Sequence, residues 1–223
     1  RKDTWINLGT GAFLFGIRQG LGLLGVWEWK LGLLPMDWLI WPGMQFLLAF
    51  LLLDFCRYWL HYAHHRIPFF WQFHRVHHSS ESMDSTAGLR MHLVDFLQLS
   101  LLPVILFGVL LDTSHFEPWV LPAVLVPGVV FDAFEHGNIA FSLENPIARV
   151  WNLLLNNPLF HSWHHTREGA RCDGNYGNVL LIWDRMFGTD VSGPQPPPLL
   201  GLEKEQSLKN GLISMQLLQR PES

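Results

Sequence analysis

Residues 53–78 read Leu53-Asp54-Phe55-Cys56-Arg57-Tyr58-Trp59-Leu60-His61-Tyr62-Ala63-His64-His65-Arg66-Ile67-Pro68-Phe69-Phe70-Trp71-Gln72-Phe73-His74-Arg75-Val76-His77-His78. An apolar run from Leu39 to Phe55 carries Asp54 as its single charge and then passes directly into this histidine-rich segment. A helix needs roughly 20 apolar residues to cross a bilayer, and the stretch 38–60 meets that length. Three further stretches, 6–26, 93–111 and 118–135, are comparable. The expectation is an all-α, integral membrane helical bundle of about four spans. Pro103, Pro122 and Pro127 interrupt the later spans, which membrane helices tolerate where neighbours satisfy the freed backbone. The first stretch holds Arg18 and several glycines, so an interfacial or re-entrant helix is its alternative.

Composition agrees. Hydrophobic residues make up 49% of the 223 and charged residues only 15%, which is oily for a soluble chain of this length. A net charge of -4 offers no basic stripe to neutralise phosphates, so no nucleic-acid partner is expected. Cys56 sits in an apolar run and Cys172 in a distant polar stretch, so neither a disulfide framework nor a CxxC metal knuckle is expected. The chain opens on Arg1 rather than Met, so residues upstream are expected, and no signal-peptide pattern follows. Residues 1–192 are expected to form a single membrane-embedded domain, and 193–223 a Pro-rich linker and polar C-terminal tail without chemistry. Arg66, Arg75 and Arg90 lie between the second and third spans, whereas the 112–117 connection has Asp112 and Glu117 and no Lys or Arg. The positive-inside rule then puts the histidine-bearing side in the cytoplasm, with residues 61–92 and those after about 136 on that side.

Nine of the 12 histidines fall into three clusters: His61, His64, His65; His74, His77, His78; His161, His164, His165. Helical residues at i, i+3 and i+4 project from one face, so each HxxHH box places three imidazoles together, to reach one metal or bridge two. In the first box His61 and His65 form the i, i+4 pair, and His64 is rotated off that line. Packing alone gives no reason to collect many polar imidazoles, which are costly to bury unpaired. One metal is satisfied by three or four ligands, so eight or more imidazoles imply two ions. Imidazole suits zinc, copper, iron or nickel and does not choose among them. His136, at the end of the last span, is a further ligand candidate, and His92, opening the third span, is either a ligand or a support for one. His115, in the opposite loop, is expected to be a surface residue. Asp54 and Asp184 are expected either to accept imidazole N–H bonds or to pair with Arg57 and Arg185.

The stretch from Asp54 through His65 to Ser79, the later Pro158-Leu159-Phe160-His161-Ser162-Trp163-His164-His165, and Asn175-Tyr176-Gly177 with Trp183-Asp184-Arg185-Met186-Phe187-Gly188-Thr189 together resemble the fatty acid hydroxylase and sterol desaturase superfamily, the membrane-bound histidine-box di-iron oxygenases. Order and spacing agree from about Leu53 to Thr189. The resemblance implies a helical membrane scaffold with a cytosolic, histidine-rich helical cap holding a dimetal site. It also implies a non-haem di-iron monooxygenase, hydroxylase or desaturase that uses O2 as co-substrate against an unactivated C–H bond of a lipid, sterol or fatty acyl in type. The metal ligands and catalytic residues carried over are His61, His65, His74, His77, His78, His161, His164 and His165, with His136 next and His92 less certain. Ala140 departs from an HxxxH pair that some members have near this point. Two iron ions are the implied cofactors, and zinc is a substitute that a purified sample can carry. The chain has no GxGxxG between a strand and a helix, so the two electrons per turnover are expected from an external donor such as cytochrome b5, or ferredoxin with its reductase. Localisation follows as a multi-pass membrane protein, of the endoplasmic reticulum if eukaryotic or the inner membrane if bacterial, with the site on the cytoplasmic side.

Two other readings compete. A membrane zinc-dependent hydrolase needs an open metal position and an acid-base carboxylate; Glu135 and Glu168 are close in sequence, but HExxH is absent. A metal transporter or haem electron carrier needs ligands in mid-span or axial pairs, whereas these boxes sit at span ends.

Overall fold

The computed structural model describes residues 2–167, 173–191 and 193–221; Glu168 and Cys172 lie outside the described residues. The described part is helical. Helices α1 (Lys2–Leu23), α2 (Pro42–Arg66), α3 (Pro68–His74), α4 (Leu93–Val104) and α5 (Val120–Glu135) are followed by the shorter α6 (Pro146–Trp151), α7 (Pro158–His164), α8 (Ile182–Phe187) and α9 (Leu212–Gln216). The sheet content is one short parallel pairing of Leu34–Pro35 with Leu111–Asp112.

Among the described residues, two segments are long and apolar enough to cross a membrane by length and composition, α2 and the helical stretch Leu93–Leu110. Only 28% and 17% of their most apolar windows is buried inside the protein, and the rest is half-buried or exposed, with Met44, Leu47, Leu48, Ile105 and Leu110 among the exposed side chains. In water such faces would be an aggregation liability, whereas a lipid environment accommodates them. The other two expected spans read differently. Helix α5 has 16 residues, about 24 Å at 1.5 Å per residue, against a hydrocarbon core of about 30 Å. Helix α1 has the length, 22 residues, but is interrupted by Arg18 and by polar residues.

Prolines set the breaks that matter. Pro68 disfavours helical geometry at the residue before it, and Ile67 is extended at φ -102° and ψ 113°, ending α2 and starting α3. The chain therefore turns back between the first and second histidine boxes. Pro103 lies inside α4, and the turns that follow, Ile105–Leu110, widen to a π-helix, as expected where a proline removes a backbone donor. Leu53 of α2 packs with Leu106, Phe107, Val120 and Val124 in the main apolar core, which fixes α2 against the end of the Leu93–Leu110 stretch and α5. At Gly128 of α5 an added Cβ would collide with the Arg57 guanidinium, so glycine is what lets that cation pass between α2 and α5.

The tail does not trail away. Leu200 pairs with Thr166, and the Gly201 N–H donates to the His165 carbonyl at 3.1 Å. Gln216 accepts from the Leu93 N–H at 2.8 Å and donates to the Met91 carbonyl at 2.8 Å. Met215 and Leu208 bury against Val76, between the histidines of the second box. One of the arginines used to orient the chain is also internal: Arg90 is fully buried and bonds Asp3, Asn7 and Ser79, which ties the start of α1 to the histidine-bearing side.

Candidate metal centre

The histidine side chains meet at the ends of α2, α3, α5 and α7. His61 and His65 lie on the last turns of α2, and His74 ends α3. His77 and His78 follow in a separate 3-10 turn, His77–Ser79, rather than continuing the helix. His136 caps α5, and α7 carries His161 and His164 with His165 as its C-cap. Helix α7 starts where it does because Pro158 occupies its first turn and the Asn157 side chain accepts from the Phe160 N–H at 3.0 Å.

These nine side chains sort into two groups. His61, His65, His74, His78 and His164 form one, His77, His136, His161 and His165 the other, and within each group one ring nitrogen per residue lies within 4.8 Å of all the rest. The groups abut, with the His78 and His165 rings stacked at 4.5 Å. Each HxxHH box is thus shared: His74 and His78 join the first group and His77 the second, His164 the first and His161 and His165 the second. Neighbouring residues on a helical turn diverge by about 100°, which is how His77 and His78, or His164 and His165, serve different groups. His64 points elsewhere, toward Asp95 and Gln98.

The tautomers follow from the outer hydrogen bonds. A carbonyl or carboxylate oxygen only accepts, so the ring nitrogen facing it carries the proton. His61 Nδ1 donates to the Tyr176 carbonyl at 2.9 Å, His77 Nδ1 to that of Arg90 at 3.3 Å, His136 Nδ1 to that of Asp132 at 2.7 Å and His164 Nδ1 to that of Gly174 at 2.7 Å. His74 Nδ1 donates to Asp95 Oδ2 at 2.9 Å. In each neutral ring Nε2 is then a bare lone pair. Yet the Nε2 atoms of His61 and His74 stand 3.1 Å apart, and those of His77 and His136 3.2 Å. Lone pairs facing at that distance repel unless a cation lies between them. Among the described residues, the buried Nε2 atoms of His78 and His164 have no hydrogen-bond partner. His65 Nδ1 finds Asp173 only at 3.8 Å, beyond hydrogen-bond reach. The residues present fit two metal ions.

Electrostatics point the same way. Burial, reinforced by repulsion from neighbouring imidazoles, holds His74, His77, His78, His161 and His165 well below the usual histidine range. Burial does the same for His164, partly offset by its bond to Gly174. Neutral imidazole is the ligating form.

Residues 46–189 match the family model described as Fatty acid hydroxylase. The chain belongs to the fatty acid hydroxylase family. Among curated relatives, it is 32% identical over 166 residues to Alkylglycerol monooxygenase of Danio rerio, covering 70% of this chain and 32% of that protein. It is 29% identical over 160 residues to Ornithine lipid hydroxylase OlsE of Rhizobium tropici, covering 70% and 45%. Against Delta(7)-sterol 5(6)-desaturase ERG3A of Gibberella zeae it is 29% identical over 159 residues, covering 66% and 39%. The chain thus spans about a third of the length of the first relatives it matches. No solved structure gives a significant match.

Within this fatty acid hydroxylase scaffold, three expectations are revised. Among the described residues, Asp54 and Asp184 accept from no imidazole. Asp54 holds the Val179 and Leu180 N–H groups at 3.2 and 3.3 Å and Trp183 Nε1 at 2.9 Å, clasping α8 to α2. Asp184 accepts from the Tyr176 and Gly177 N–H groups, both at 2.8 Å, and from Thr189 Oγ1 at 2.7 Å; burial nevertheless pushes its carboxyl up to about 6. These clasps hold the Gly174 and Tyr176 carbonyls under His164 and His61. His92 lies outside both groups, because its Nε2 donates to the Gln216 carbonyl at 2.9 Å and its Nδ1 accepts from the Val94 N–H. Two buried carboxylates were not singled out from the sequence as partners of the histidines, Asp95 and Glu135. Glu135 Oε1 lies 3.8 Å from His161 Nε2, and the carboxylate is held by Asn156 and Asn178. The available signal was an acid in an otherwise apolar helix, Asp95 alone in α4 and Glu135 with Asp132 at the end of α5, which is costly without a purpose.

Proposed function

We propose that this chain is an O2-dependent, di-iron oxidoreductase that hydroxylates or desaturates an unactivated C–H bond of a lipid at a membrane surface. The observation that carries the reading is the division of nine imidazoles, seven of them on buried residues and those of His61 and His65 on half-buried ones, into abutting groups of five and four, with bare lone pairs facing one another. The proposed ligands are His61, His65, His74, His78 and His164 for one iron and His77, His136, His161 and His165 for the other. Bound there, the iron pair would supply activation of O2 at the C–H bond. The family and the three lipid-oxidising relatives support the reaction class.

The chain's own residues have separable tasks. The carbonyls of Tyr176, Arg90, Asp132 and Gly174 hold protons at Nδ1 and keep each Nε2 free to ligate. The strap around Leu200 and Gly201 braces the end of the third box through Thr166 and the His165 carbonyl. An apolar groove of about 460 Å³, lined by Phe134, Phe141, Ile147 and Trp151, opens beside the end of α5 and suits an alkyl chain. Electrons come from an external carrier, cytochrome b5 or ferredoxin with its reductase. The four-span topology and a cytoplasmic site belong to the same proposal.

The test is O2 uptake by iron-loaded protein with a chemical reductant and a panel of glyceryl ethers, ornithine lipids, fatty acyl lipids and sterols. Uptake matched by a hydroxylated or desaturated product is expected for one class. Zinc as the native metal, with hydrolysis and no O2 uptake, would overturn the reading.

A further inference from the structure

The nine proposed ligands do not have equivalent surroundings. Where the outer nitrogen meets a carbonyl, as in His61, His77, His136 and His164, the partner is neutral. His74 is different. Its Nδ1 donates to Asp95 Oδ2 at 2.9 Å, and both side chains are buried. Other carboxylates stand farther from ligand nitrogens: Asp132 Oδ1 is 3.6 Å from His136 Nδ1, and Asp173 is 3.8 Å from His65.

Asp95 is itself built in. It occupies the first turn of α4, where helix N-terminal amides favour a negative charge. It is fully buried, and its second oxygen, Oδ1, faces His64 Nδ1 at 3.1 Å, although without hydrogen-bond alignment. His64 in turn meets the Gln98 side-chain amide, one helical turn along α4, at 2.9 Å. The one histidine of the three boxes left out of both groups is thus the one packed against Asp95. The helix start is anchored by His92, which joins the tail at Gln216, so Asp95 has little freedom to retreat from His74.

We infer that Asp95 is a positioning residue of the metal centre: it fixes the tautomer and ring angle of His74, raises the electron donation of that imidazole, and makes the five-imidazole position electronically distinct from the four-imidazole one. A carboxylate accepting a ligand's N–H raises ligand basicity, which strengthens metal binding and favours the oxidised metal. The inference rests on the di-iron reading, and its test separates the two.

The experiment compares the native chain with Asp95→Asn and Asp95→Glu, each purified in detergent after iron loading. Iron per chain is measured against increasing chelator, and the midpoint potential by a redox titration followed spectroscopically. The native chain is expected to hold both irons. Asp95→Asn is expected to release one of them at chelator concentrations about 10–100-fold lower. Its remaining occupancy refills at correspondingly higher iron, the midpoint potential moves to more positive values, and Asp95→Glu recovers part of both. Unchanged chelator resistance and potential in Asp95→Asn would overturn the inference, as would failure to refill at any iron concentration. A native chain that holds no iron would instead overturn the parent reading and this one with it.

Discussion

Replacing His136 with Ala separates the two groups. Its imidazole is buried, its Nδ1 holds the Asp132 carbonyl at 2.7 Å, and its Nε2 stands 3.2 Å from His77 Nε2 and 3.0 Å from His161 Nε2. In the metal-free chain two effects oppose: loss of one hydrogen bond costs about 1 kcal/mol, while removing one of several facing lone pairs relieves repulsion. Metal-free stability should therefore change little. With metal the change is one-sided, because the group of four falls to three. Altering only an outer partner of a ligand costs about 10–100-fold in affinity, so loss of the ligand itself should cost at least about 100-fold, or about 2.7 kcal/mol. The assay is iron per chain by mass spectrometry during a chelator titration, with thermal melts in detergent with and without iron. Native protein should hold both metals up to high chelator; His136→Ala should lose one early and keep the five-imidazole position filled. Equal resistance of both metals in the variant, or simultaneous loss of both, would refute the assignment of His136 to its own group.

Three other perturbations follow from the same geometry. His92→Ala should keep both metals and cost about 1 kcal/mol in a detergent melt, since His92 anchors the tail to α4 and enters neither group; loss of metal would show a ligand role. Asp54→Ala should lower stability by about 2 kcal/mol or more, because it strands one buried and two half-buried donors of α8 and the preceding turn, and a melt unchanged from native would contradict the clasp. For pH, the folded-state values of His74, His77, His78, His161, His164 and His165 lie below the unfolded value of about 6.5, so the unfolded chain binds more protons below that point. Their contribution is complete above about 6.5 and is lost as pH falls, so metal-free melts should drop on acidification from pH 7 to 5; a flat or rising profile would contradict it.

The histidine boxes were legible because side-chain identity encodes them, and the apolar run into His61 placed them at a helix end. Their division was not legible. A continuous helix would put His74, His77 and His78 on one face, but α3 ends at His74 and a 3-10 turn carries His77 and His78 toward different groups. The outer acceptors were hidden for another reason: four are backbone carbonyls, which every residue possesses, so sequence cannot single out Tyr176 or Gly174 for that task. The tail looked featureless because its docking mixes backbone bonds, such as Gly201 to His165, with single contacts of Gln216, Leu208 and Met215 that form no sequence pattern. Arg90 reads in the sequence only as a charge between two spans, because its partners, Asp3 and Asn7, lie more than 80 residues away.

The most direct test of the central claim is the iron content of the native chain, expressed with ample iron and purified in detergent. About two irons per chain are expected, one for the group of five imidazoles and one for the group of four; one metal or none would contradict it.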